Sequence, residues 1–239
     1  MQVEIQLCLK MEIKNIDDWS SLLVKAENGD GKAQNEVAYY YENGLTIGDI
    51  ILVEVDPKLA FHWTKRAYGS GDIDGMQRYA DYLSDGEYQY CEKDIDLAMQ
   101  IYERAMNEGS GSAAYSLGLE YRNKQNFEKA FELYSIPGKS GNFYEELTVG
   151  LCYYYGIGTK KDRHKAFEIF KLIHTDSSGH SQYEIEEANF MIGRIFLDGE
   201  VVEPSIEMAR YYLELADQDR DHRSAQELLI VLGRKKMIN

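Results

Sequence analysis

Five times along this chain a small residue sits directly behind an apolar one and three places before an aromatic or apolar one. The sets are Val37-Ala38 with Tyr41, Tyr79-Ala80 with Leu83, Leu117-Gly118 with Tyr121, Val149-Gly150 with Tyr153, and Ile192-Gly193 with Phe196. The small residues stand 42, 38, 32 and 43 positions apart. A period of that size marks a stack of repeats, each of which buries its apolar face only against its neighbours. Offsets of three and four place each set on one helical face. The Ala or Gly there lets a second backbone come close, while the large neighbours fill the space around the contact.

A second helix is expected after each of these. It carries Ala60, Trp63 and Ala67 in repeat one; Ala98, Ile101 and Ala105 in repeat two; Ala130, Leu133 and Pro137 in repeat three. Repeats four and five supply Ala166, Ile169 and Ile173, then Ala209, Tyr212 and Ala216. Asp56-Pro57, Asp94 and Asp162 suit helix starts, as caps with proline tolerated in the first turn. Gly71, Gly109 and Gly141 fall just past helix ends, where a left-handed cap favours glycine. Residues 17–28, with Trp19, Leu22 and Leu23, read as a capping helix before the array, and residues 224–236 as one after it. The expected division is therefore 1–28 for an N-terminal strand and capping helix, 29–218 for the repeats, and 219–239 for the closing cap.

Two segments break the helical period. Val3, Ile5, Leu7, Leu9, Met11 and Ile13 alternate as a strand does. Residues 50–55, Ile-Ile-Leu-Val-Glu-Val, are rich in β-formers and interrupt repeat one. Either the two segments pair as a small sheet beside the first repeat, or the first ten residues are unstructured and order begins near Met11.

The five units resemble the Sel-like repeat, a relative of the tetratricopeptide repeat with a longer loop between its helices. Repeat four carries the likeness best, in Val149-Gly150, Tyr153, Gly156-Ile157-Gly158, Asp162, Lys165-Ala166 and Ile169-Phe170. Repeat one keeps Ala33, Tyr41, Gly44, Asp56, Ala60, Trp63 and Ala67-Tyr68. Repeat three departs most: Lys124 stands where the loop glycine belongs and Pro137 at the small position, so its second helix is expected to be short or kinked. The resemblance covers roughly residues 29–218. It implies an all-α, right-handed α/α solenoid of about five helix-turn-helix units with capping helices. It also implies an adaptor or scaffold for other proteins.

Composition narrows the function further. A net charge of −15 disfavours nucleic acid and anionic membranes, whose phosphates need clustered Lys and Arg. The same charge would speed capture of a basic protein or peptide, or serve only to keep a long array in solution. No apolar run is long enough to span a bilayer, and Glu4 sits where a signal peptide wants positive charge. Three scattered cysteines, Cys8, Cys91 and Cys152, fit a reducing compartment. The chain reads as soluble and cytoplasmic, with its oligomeric state open.

No catalytic signature stands out. Gly156-Ile157-Gly158-Thr159-Lys160 lacks phosphate-loop spacing and follows a helix. Asp72-Ile73-Asp74-Gly75 lacks the glutamate a calcium loop needs, Leu83 occupying that place. The five histidines form no metal pairing, and no nucleophile elbow is present. No cofactor or metal is expected, and a hydrolase is the disfavoured alternative.

In a right-handed stack the first helices line the concave side. Candidate partner-binding residues there are Tyr39, Asp81, Tyr115, Leu119, Arg122, Leu147, Leu151, Tyr154, Phe190 and Arg194. The lining is polar and acidic toward the N-terminus, through Asn35, Glu42, Gln77 and Ser84, and aromatic and apolar toward the C-terminus. For Phe190 and Leu197, burial under the closing cap is the competing expectation. A non-catalytic interaction module is the main functional expectation. An immunity protein neutralising a basic toxin is the narrower one, and an adaptor in a secretion or signalling assembly a third.

Overall fold

The computed structural model describes residues 13–86, 91–136, 144–177 and 179–236. The strand periodicity over residues 3–9, Pro137 and Gly141 lie outside them. The chain divides into two compact units, Met1–Ser116 and Leu117–Asn239. The expected fold class holds: every repeat is a helix hairpin.

In the first unit, α1 (Ile16–Glu27) is followed by α2 (Gly31–Asn43), then by the strands β1 (Leu45–Ile47) and β2 (Ile50–Val53). Next come α3 (Pro57–Gly69), α4 (Ile73–Asp85) and α5 (Ile95–Asn107), and the division falls within α6 (Gly111–Asn123). α2 packs on α3, α3 on α4 and α4 on α5, and the first helices α2 and α4 also touch each other. Asp56, Asp72 and Asp94 each accept a backbone N–H three residues on, from Leu59, Gly75 and Leu97, satisfying helix-start donors that would otherwise be orphaned. Asp72-Ile73-Asp74-Gly75 is thus a helix start. Gly71 and Gly109 are left-handed, at φ +80° and +106°.

The interruption in repeat one folds on itself. β2 pairs antiparallel with β1 across Gly48-Asp49, a two-residue turn whose Gly48 supplies φ +59°. Val53 is buried with Ile13, Trp19, Val37 and Trp63, and Leu45, Ile47 and Leu52 pack against that cluster. Ile50 and Ile51 stay exposed.

The second unit continues with α7 (Phe127–Tyr134), α8 (Tyr144–Tyr155), α9 (Arg163–Thr175), α10 (Gln182–Asp198), α11 (Ile206–Ala216) and α12 (Arg223–Lys236). Its chain of contacts runs α7–α8–α9–α10–α11–α12, and the first helices α8 and α10 meet as well. α7 has 8 residues against 13 in α3, α5 and α9, the shortening expected ahead of Pro137. The link from α6 to α7 is equally terse. Gln125 takes the left-handed turn at φ +61° that a glycine takes elsewhere, and Asn126 then caps α7 through the Lys129 N–H.

Small residues on the first helices do what close packing asks. Ala38 and Ala80 are fully buried. A Cβ on Gly118, Gly150 or Gly193 would stand 2.6, 2.6 or 2.9 Å from Tyr134, Phe170 or Leu213 of the paired helix. Each glycine is a place where two helices approach too closely for a side chain.

Candidate functional site

On the first-helix face of the first unit, α2 and α4 enclose an open cleft of about 380 Å³ lined by Glu42, Asp74, Gln77, Arg78, Asp81, Tyr82 and Asp85. Asp74, Arg78, Asp81 and Asp85 recur at helical spacing, so α4 aims a single stripe into the space. Four carboxylates face one guanidinium. That guanidinium is already engaged: Arg78 pairs with Glu42, donates from Nε to Asn35 Oδ1 at 3.1 Å and lies over the Tyr39 ring.

Asp81 is the deepest of the acids. The buried Tyr102 hydroxyl donates to its Oδ1 at 2.6 Å, and Ser84 Oγ lies 3.2 Å from the same hydroxyl. Burial pushes the Asp81 carboxyl above its ordinary value, and Glu42 adds to the shift. The Tyr102 hydrogen bond and Arg78 oppose it. A native carboxyl that keeps its proton to higher pH binds more protons than the unfolded chain. Stability therefore falls as pH rises from the unfolded value of 3.8 through the native one, and ionised Asp81 is a net burden at neutral pH. Asp81→Asn retains an acceptor for Tyr102. It is expected to raise neutral-pH stability on the order of 0.5 kcal/mol, a gain that vanishes in urea titrations run below the unfolded value.

The second unit's face is more filled. Leu147 and Tyr154 are 6% and 1% exposed and belong to the core between α8, α9 and α10, so they offer no open lining. Tyr154 is drawn inward because its hydroxyl donates to Asp198 Oδ2 at 3.0 Å. The Arg163 guanidinium stacks over its ring at 4.5 Å while pairing with Asp198 and Glu200 at 3.1 and 2.6 Å. Phe190 and Leu197 pack against the cluster formed with α12, and Phe190 lies 4.7 Å from the His222 ring; the cap covers them. What stays accessible is half-buried Leu151 and Arg194 beside exposed Tyr155. Arg194 donates to the Tyr155 hydroxyl at 3.0 Å. Tyr115 and Leu119 on α6 are half-buried, and Arg122 is exposed.

The structure thus brings Tyr39 and Asp81 together around Arg78, and Leu151, Tyr154, Phe190 and Arg194 along α8 and α10. Sequence reasoning missed Arg78, Asp74 and Asp85, although their spacing with Asp81 was a legible signal. Cysteine chemistry finds no support in the thiols. Burial holds Cys152 up to about 11 and raises Cys91 as well, so neither is a ready nucleophile. Among the described residues no cluster of three or more His, Cys, Asp or Glu could hold a metal, and no helix is long and apolar enough to cross a membrane.

Helix hairpins repeated at this period, with first helices meeting as α2 with α4 and α8 with α10, define an α/α repeat protein of the solenoid class. The Sel1 repeat model matches residues 31–72, 73–110, 111–136, 149–172 and 186–216, about two-thirds of the chain. The chain belongs to the Sel1 repeat family. Among curated relatives, it is 27% identical over 160 residues to the ERAD-associated E3 ubiquitin-protein ligase component HRD3A of Arabidopsis thaliana. That match covers 66% of this chain but only 21% of the relative, so the chain spans about a fifth of that protein's length. It is 26% identical over 206 residues, 82% of each chain, to the Sel1-repeat-containing protein YjcO of Escherichia coli K12. Among solved structures, c5321, a protective antigen of uropathogenic Escherichia coli with an SLR fold, superposes with a TM-score of 0.73 at 21% identity. It covers 91% of this chain and 44% of that one. The immunity protein Pa5087 of Pseudomonas aeruginosa superposes at 0.51 and 17% identity, over 84% of this chain and 73% of that one.

Proposed function

We propose that the protein is a non-catalytic adaptor that holds a partner polypeptide on its first-helix faces, with the acidic cleft of α2 and α4 receiving basic side chains. The observation that carries this reading is Asp81. A carboxylate kept half-buried against its own preference, at the floor of an open cleft with three further acids, is stability given up where a cation would restore it. Arg78, tied to Glu42 and Asn35, leaves Asp74, Asp81 and Asp85 to face an incoming charge. Membership in a family whose relatives include a ligase component supports an interaction role, and the overall charge favours a basic partner in the cytoplasm over nucleic acid.

A pull-down from a lysate with the Asp74→Lys/Asp85→Lys variant beside the wild type tests it. A basic polypeptide retained by the wild type should fall at least about tenfold with the variant, equal to about 1.4 kcal/mol, and should elute with added salt. Both positions lie on the surface side of α4, so helical content should be unchanged. Equal retention would overturn the cleft as the site. The narrower reading, neutralisation of a basic toxin, is favoured by the fold shared with an immunity protein. Rescue of growth against a toxin encoded next to this gene would support it.

A further inference from the structure

The residue directly after the small one changes character between the two units. It is Asp81 behind Ala80 on α4, Leu151 behind Gly150 on α8 and Arg194 behind Gly193 on α10. In the second unit α8 and α10 meet, so Leu151 and Arg194 hold the same repeat position on adjoining helices. Tyr155, 51% exposed, stands one turn after Leu151 on the same face of α8.

Arg194 is half-buried, yet no carboxylate answers it. Arg66, Arg78, Arg104, Arg163 and Arg223 are each paired with an aspartate or glutamate. Among the described residues Arg194 makes no ion pair and a single hydrogen bond, from Nη1 to the Tyr155 hydroxyl at 3.0 Å. Asp198, one turn further along α10, is engaged instead by the Tyr154 hydroxyl and the Arg163 guanidinium. What surrounds Arg194 is aromatic: its Cζ lies 5.6 and 5.9 Å from the centroids of the Tyr154 and Phe190 rings. Ring faces steady a cation without consuming its N–H donors, which a guanidinium presents in a planar fork matched to a carboxylate. In a chain of net charge −15, a positioned guanidinium with unused donors is completed by a carboxylate from outside.

We propose that the first-helix face of the second unit binds an acidic side chain of a partner polypeptide, with the carboxylate on Arg194 and a flanking apolar residue against Leu151 and Tyr155. Arg194 supplies the charge-assisted bond and Tyr155 orients the guanidinium. The inference rests on the adaptor reading only in taking the first-helix faces as the bound surface. The cleft of α2 and α4 selects positive charge, and this site selects the opposite.

The probe is an acetylated, amidated Leu-Glu-Leu peptide, whose one charge is its side-chain carboxylate, compared with Leu-Gln-Leu blocked in the same way. Each is titrated into the whole protein, with the backbone amide signals of Leu151 and Tyr155 followed by NMR. The Glu peptide should shift them saturably at roughly millimolar concentration and bind at least about tenfold more tightly than the Gln peptide. The overall field of the protein repels the Glu peptide, so net charge alone gives the reverse order. Arg194→Gln should abolish the preference with the circular dichroism unchanged. Asp74→Lys/Asp85→Lys should keep it, so failure at this site and failure of the acidic cleft are read separately. An absence of saturable shifts, equal binding of the two peptides, or a preference that survives Arg194→Gln would each overturn the proposal.

Discussion

Gly158→Ala is expected to remove about 3 kcal/mol of stability from the second unit. Two causes coincide there. Gly158 holds φ +66°, a region that disfavours an L side chain by about 1 kcal/mol or more. Its missing Cβ would also lie 1.9 Å from the Phe127 carbonyl oxygen and 2.5 Å from the carbonyl carbon. A side chain in that position could rotate away. A backbone carbonyl at the start of α7 moves only if the helix moves. The neighbouring Gly156 is the control. It shares a left-handed φ of +75°, but its Cβ would meet Lys161 at 3.1 Å, so Gly156→Ala should cost about 1 kcal/mol. At roughly 2–4 °C per kcal/mol for a chain of this size, Gly158→Ala should lower the melting midpoint by roughly 6–12 °C. Matching midpoints for the two variants would mean that the approach to α7 does not constrain this loop.

That loop was legible in the sequence because its chemistry is local. Glycines at a fixed offset after the small residue, then an aspartate before the next Ala, specify a turn and a helix cap without reference to anything distant. Asp56, Asp94 and Asp162 each cap the helix their position announces. The pairing partner of β2 was harder. Leu45–Ile47 is only three residues long, too short to register as a strand, and a distant alternating segment offered a longer match. Once Gly48-Asp49 makes a tight turn, closure is local and costs little entropy.

The candidate site was half legible for a related reason. Periodicity says which residues share a face, but not what lies over that face. Asp81 lines an open cleft, because α2 and α4 leave a gap there. Tyr154, which takes the place on α8 that Ser84 takes on α4, is drawn into the core by a hydrogen bond to Asp198, 44 residues away. Its neighbour Tyr155 remains at the surface to bond Arg194. Phe190 packs against the α12 cluster, the burial under the closing cap that periodicity left as the competing expectation.

Phe170 and Gly150 should be coupled, and the coupling tests why a glycine sits in the middle of a helix. Phe170 is fully buried in the core of the second unit, so Phe170→Ala is expected to cost about 3–5 kcal/mol. Its ring meets Gly150 through Cε1 and Cδ1, which a Cβ would approach to 2.6 and 3.2 Å, and Ile169 Cγ2 stands 3.2 Å from the same point. Gly150→Ala alone should therefore cost about 1–3 kcal/mol through overpacking, outweighing the roughly 1 kcal/mol that alanine gains over glycine in a helix. In a Phe170→Leu background the ring is gone and the helix preference is left standing. Gly150→Ala should then become neutral or stabilising by up to about 1 kcal/mol. The sign reversal, read in urea unfolding of the four proteins of the cycle, corresponds to an interaction energy of about 1 kcal/mol or more. Additivity within about 0.3 kcal/mol would mean that the ring does not enforce the glycine. The same reasoning would then fail for Gly118 under Tyr134, and the repeated small residue would lose its physical basis.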